Sequence, residues 1–110
     1  MAYSEELAER LRARLKGQRG VTEKKMFGGL AFLLNGNMCV AASGRGGLLA
    51  RVDPEETRSL LAPPNVALMK MGGRTMAGWI RVASEAIASD PELGRWVERC
   101  VAYTKTLPRK

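Results

Sequence analysis

Three groups of side chains in this chain have types and spacings that chemistry would use: the carboxylates Asp53, Glu55 and Glu56, the carboxylates Asp90 and Glu92, and the thiols Cys39 and Cys100. Paired acids can divide proton donation and acceptance between them or share a Mg²⁺ ion. Both acidic groups, however, follow the pattern of a helix start, Asp53-Pro54-Glu55-Glu56 and Asp90-Pro91-Glu92, with Pro at the first helical position and acids in the first turn. A helix N-terminus attracts that negative charge, so both are read as helix starts. The two cysteines lie in apolar stretches without CxxC spacing and read as small buried hydrophobes with reduced thiols. The chain contains no histidine, which removes the commonest general base, the commonest metal ligand and every Ser-His or Cys-His pair. Gly28-Gly29 and Gly44-Arg45-Gly46-Gly47 match neither a dinucleotide-binding fingerprint nor a phosphate-binding loop, and neither opens onto a helix. Met26, Met38, Met69, Met71 and Met76 read as core filler rather than soft-metal ligands. No catalytic residue, metal or cofactor is therefore assigned, and the chain is expected not to be an enzyme.

What remains is binding. Eighteen basic against eleven acidic side chains give a formal charge of +7, which favours an anionic partner. In the glycine loops Gly44-Arg45-Gly46 and Gly72-Gly73-Arg74, backbone amides and a guanidinium could converge on a phosphate or carboxylate, or the loops could be solvated hairpin tips. With the neighbouring strand cations they give a candidate anion or partner surface of Lys24, Lys25, Arg45, Arg51 and Arg74. Trp79, next to Gly78, is either an exposed aromatic anchor or a core residue, and its strand context favours the core. Arg10, Arg12, Arg14, Lys16 and Arg19 form a candidate nucleic-acid patch, echoed by Arg95, Arg99, Lys105, Arg109 and Lys110 near the C-terminus. Against that patch stand its reading as a solvated helix face and the scarcity of aromatic side chains, two each of Trp, Tyr and Phe.

The elements that would carry these residues follow from local signals. Ser4 caps a first helix with Glu5 and Glu6 early, Arg14 and Lys16 late, and the stripe Leu7, Leu11, Leu15; Gly17 or Gly20 ends it. Three strands are expected next: Lys24 to Leu34 with a bend at Gly28-Gly29, Asn37 to Ala42, and Leu48 to Val52. Asn35-Gly36 suits a type I′ hairpin turn, which needs positive φ at both central residues. It sets Leu34 opposite Asn37, Leu33 opposite Met38 and Phe32 opposite Cys39. Both faces of that hairpin are then apolar, with Leu30, Phe32, Cys39 and Ala41 on one and Ala31, Leu33, Met38 and Val40 on the other. Antiparallel sheets usually leave one face wet, so the second apolar face wants a cover, and a symmetric dimer is one solution. A helix from Asp53 runs to Leu60-Leu61 before Pro63-Pro64. Strands over Val66 to Met71 and Gly78 to Val82 follow, with Gly72 to Ala77 as their connection, then a turn over Ser84 to Ala88. A final helix carries the stripe Leu93, Trp96, Val97, Cys100, Tyr103, Leu107.

The expected order is α-β(3)-α-β(2)-α, an α+β two-layer sandwich with an antiparallel sheet. At 110 residues, 45 % hydrophobic and 26 % charged, residues 1–110 make one domain of ordinary globular composition. No apolar run approaches the roughly 20 residues of a membrane span, and the N-terminus lacks a basic-then-apolar leader, so a cytoplasmic protein without membrane association is expected.

The ordered set Lys25-Met26-Phe27-Gly28-Gly29-Leu30-Ala31-Phe32, Asn35-Gly36-Asn37-Met38, Arg51-Val52-Asp53-Pro54, Met71-Gly72-Gly73-Arg74-Thr75-Met76-Ala77-Gly78-Trp79 and Trp96-Val97 resembles the N-terminal domain of the TfoX/Sxy family over nearly the whole chain. The resemblance implies a two-layer fold like that of type III secretion chaperones, which often dimerises. It also implies kinship with regulators of natural competence that act with a cyclic-AMP receptor protein and carry a second, helix-hairpin-helix domain. It transfers no catalytic residue. A stand-alone interaction or regulatory module with a protein partner is thus expected; a basic nucleic-acid-associated accessory protein in transcription regulation or DNA uptake is the alternative.

Overall fold

The computed structural model describes residues 3–26, 28–44, 46–61, 65–71 and 74–108, and for 70, 71 and 74–77 the backbone alone. Helix α1 (Glu5–Leu15) begins where Ser4 Oγ accepts the Leu7 N–H at 3.2 Å, and it buries Leu7, Ala8, Leu11 and Leu15. Four strands follow as a meander, β1 (Val21–Met26), β2 (Gly29–Leu34), β3 (Asn37–Ala42) and β4 (Leu48–Arg51). Next come a short α2 (Thr57–Leu60), β5 (Val66–Met71), β6 (Arg74–Val82), a 3₁₀ turn (Ser84–Ile87) and α3 (Asp90–Thr104). The strands form one antiparallel sheet in the order β1-β2-β3-β4-β6-β5.

The α+β class and the antiparallel sheet are those expected, but the first block contains four strands rather than three. Lys24 to Leu34 is not one bent strand: Met26 pairs with Gly29 and the chain reverses between them. Gly28 takes φ 76°, and a Cβ on Gly29 would run into the Ala42 carbonyl, so the double glycine closes a hairpin against the end of β3. The next turn is as expected, with Asn35 at φ 54° and Gly36 at φ 83° and Leu34–Asn37 and Leu33–Met38 in register. Beyond it Phe32 pairs with Val40 instead of Cys39, because Cys39 is the extra residue of a bulge. The bulge reverses the alternation. Cys39 and Val40 both join the helix-side core, and Ala41 turns to the other face, exchanging the expected places of Val40 and Ala41. β6 also starts earlier than expected, with Arg74 opposite Met71; Gly72 and Gly73 lie outside the described residues.

Helices α1 and α3 cover one sheet face. Leu7, Leu11, Leu15, Leu93, Val97 and Cys100 interdigitate there with Leu30, Phe32, Leu34, Leu48 and Ile80. Each such side chain contributes about 1.5–3 kcal/mol when fully buried, and this layer is the core.

Candidate functional site: the helix-free face of the sheet

The opposite face has its own apolar cluster, made by strand residues alone among the described residues. Ala31, Ala41 and Leu49 are buried at its centre, and Met26, Leu33, Met38, Met69 and Trp79 surround them half-exposed. The register explains the arrangement. Lys24 pairs with Ala31, Ala31 with Ala41, Ala41 with Leu49, Leu49 with Arg81 and Arg81 with Ala67, so one row crosses all six strands. The small alanines of that row lie between Leu33 and Met38 on one side and Met26 on the other, whose larger side chains pack around them and leave Ala31 and Ala41 buried.

At the β4–β6 end the row meets a second bulge. Leu68 pairs with Ile80 but Met69 with Met76, leaving 77–79 as extra residues on β6. Gly78 takes φ 87° there, a conformation L side chains rarely adopt, and a Cβ would meet Val52 O at 3.1 Å. Its buried N–H donates to Thr57 Oγ1 at 2.9 Å and its carbonyl accepts from the Val52 N–H at 2.8 Å. The short α2 therefore anchors the bulge. Trp79 emerges from it on the helix-free face, opposite Arg51, whose guanidinium carbon lies 5.0 Å from the indole centroid. Trp79 is thus partly buried against the strand-only cluster, outside the layer that the helices cover.

The charge on this face has one sign. Glu23 is the only acidic residue in the six strands, and it sits opposite Phe32, where Arg12 of α1 takes it at 2.7 and 2.9 Å and holds its carboxyl below the usual carboxylate range. Lys24, Arg51 and Arg81 flank the apolar cluster, with Arg81 donating to Ser43 Oγ at 3.1 Å. Glu85, on the 3₁₀ turn outside the sheet, lines a recess with Arg81, Ala67 and Asn65 at the margin.

Of the candidate partner residues, Lys24 and Arg51 share this face, whereas Lys25 sits opposite Leu30 on the other. Arg45 lies outside the described residues, and of Arg74 only the backbone is described, at the start of β6. Ala31, Leu33 and Met38 share this face as expected, whereas Arg81 and the places of Ala41 and Leu49 in the row were missed. The repeated spacing Leu49-x-Arg51 and Trp79-x-Arg81 carried the signal, but only the β4–β6 pairing makes it readable.

The candidate nucleic-acid patch is divided. Arg10 donates to Ile87 O at 2.9 Å and pairs with Asp90 at 3.2 Å, Arg14 donates to Asp90 O at 2.7 Å, and Arg12 bridges Glu9 and Glu23. Lys16 and Arg19 remain exposed. Only the second acidic group starts a helix, with Asp90 and Glu92 in the first turn of α3, where Ser89 caps it and donates to Glu92 Oε1 at 2.9 Å; the helix expected from Asp53 begins only at Thr57, and Asp53, whose Oδ1 accepts the Glu55 N–H at 2.9 Å, opens a turn ahead of it. Both thiols are buried, and burial pushes them above the ordinary thiol range, Cys100 further than Cys39. Among the described residues no group of three acidic, cysteine or histidine side chains could hold a metal, and no helix is long and apolar enough to cross a membrane.

The model of the TfoX N-terminal domain matches residues 13–103, from within α1 to near the end of α3. No curated protein and no solved structure matches the chain.

Proposed function

The chain belongs to the TfoX N-terminal domain family, and we propose that it is a non-enzymatic regulatory module that binds a protein partner through the helix-free face of its sheet. The observation that carries this reading is the ring of partly exposed Met26, Leu33, Met38, Met69 and Trp79 around buried Ala31, Ala41 and Leu49, which no helix covers among the described residues. Uncovered contiguous apolar surface with Met, Trp and Arg at its edge has the composition of a protein interface. The rest of the described surface offers little for chemistry, since Asp90 and Glu92 start α3, Asp53 is engaged in a turn, the thiols are buried and histidine is absent.

Site-directed photocrosslinking in the native cell tests the reading. A benzoylphenylalanine at exposed Thr22 or Ala67, which flank the cluster, should capture a discrete protein adduct. The same group at exposed Ser59 or Ala102, on the helical layer, should not. Adducts formed only from Ser59 or Ala102 would overturn the assignment of the face.

A further inference from the structure

We infer that the occupant of this face is an acidic, apolar polypeptide segment of another protein rather than a second copy of this chain; the inference rests on reading the face as the partner surface. Charge decides it first. The six strands carry Lys24, Lys25, Arg51, Lys70, Arg74 and Arg81 against the single Glu23, and Glu23 is turned toward α1 and held by Arg12. A twofold dimer sets a patch against itself. Closing this face on its own copy would bring Lys24, Arg51 and Arg81 onto the same cations, with no strand carboxylate to answer them, and like charges in an interface are strongly disfavoured.

The spacing of the charges suits a linear segment, since neighbouring strands lie about 4.8 Å apart. Along the row, Lys24 and Arg81 stand on strands about 19 Å apart at that spacing, with Ala31, Ala41 and Leu49 between them. A segment laid along the row would set apolar side chains on the partly exposed Leu33, Met38, Met69 and Trp79 that close over the alanines and Leu49, and carboxylates on Lys24 at one end and on Arg51 and Arg81 at the other. The apolar centre offers phosphates nothing, which disfavours a nucleic acid.

Random twelve-residue peptide phage display on the full chain tests this, with displayed peptides as the probe. Enriched peptides should combine apolar and acidic residues, and synthetic versions should bind at least tenfold more weakly to Arg51→Glu/Arg81→Glu. Lys16→Glu/Arg19→Glu, on the helical side, should leave binding unchanged. Selection against the Arg51→Glu/Arg81→Glu chain should turn toward basic peptides. Lys24→Glu, at an exposed position, gives the same direction of effect if the double variant does not fold by circular dichroism. Three outcomes overturn the inference: neutral or basic peptides that still depend on Leu33 and Trp79, a sedimenting dimer dissociated by Leu33→Glu, or duplex DNA competing with the peptides. The first of these leaves the face as the partner surface. Peptides insensitive to every sheet-face variant and weakened by Lys16→Glu/Arg19→Glu would instead overturn the reading beneath it.

Discussion

Cys39 and Cys100 show how burial settles what a reactive side chain does. Both are within 1 % of full burial, and transfer from water disfavours the thiolate, the form that attacks disulfides and binds metals. A folded sample at pH 8 should therefore give no reaction with dithiobisnitrobenzoate, and two thiols should appear on unfolding. The same burial fixes a pH dependence. Because the folded pKa values lie above the unfolded ones, the native chain keeps protons that the unfolded chain releases above about pH 8.5. The stability linked to these thiols is complete below that pH and is lost as pH rises further. Urea midpoints should fall between pH 7.5 and 9.5, and a Cys39→Ala/Cys100→Ala chain should show a shallower fall.

At the scale of elements, the helix-free face depends on the clamp between α2 and the β6 bulge. Thr57 is 5 % exposed and accepts the Gly78 N–H while donating to Asp53 O at 3.3 Å. Thr57→Val keeps the shape and removes the acceptor, leaving a buried N–H unpaired at a cost of about 1–3 kcal/mol. Chemical denaturation should show that loss, Thr57→Ser should recover most of it, and the Gly78 amide should exchange faster in the Val variant. Local signals made much of the fold legible: Ser4 caps α1, Asn35-Gly36 turns β2 into β3, and the acid-rich start and apolar stripe of α3 need only their own neighbours. The two bulges were not legible, because whether Cys39 or Gly78 is the extra residue depends on a strand paired from outside. Gly28-Gly29 read as a bend because the Ala42 carbonyl that blocks a Cβ at Gly29 is set by tertiary closure. For the same reason Arg51 and Trp79 were each visible, yet their contact, 28 residues apart in sequence and made by the β4–β6 pairing, was not.

For the whole molecule, a formal charge of +7 is a weaker guide than where that charge is already engaged. On the helical side Arg10 and Arg14 hold carbonyls at the start of α3, Arg12 holds two carboxylates, and Arg99 lies 5.0 Å from the Trp96 ring. Beside the groove between α1 and α3, exposed Lys16 and Arg19 and the groove-lining Lys105 are left to meet phosphate. Three phosphate contacts predict a slope of log K against log salt of about −3, a loss of roughly 40-fold between 50 and 200 mM. Six contacts, with Arg10, Arg12 and Arg14 recruited, would give about −5 and a loss of roughly 2,000-fold over the same range. Fluorescence-anisotropy titration with duplex DNA separates the two. The shallow slope is expected, because reaching the steep one means pulling Arg12 off Glu9 and Glu23 and releasing the carbonyls that join α1 to α3. A steep slope would make the helical layer, and not the sheet face, the surface to which this chain's charge is directed.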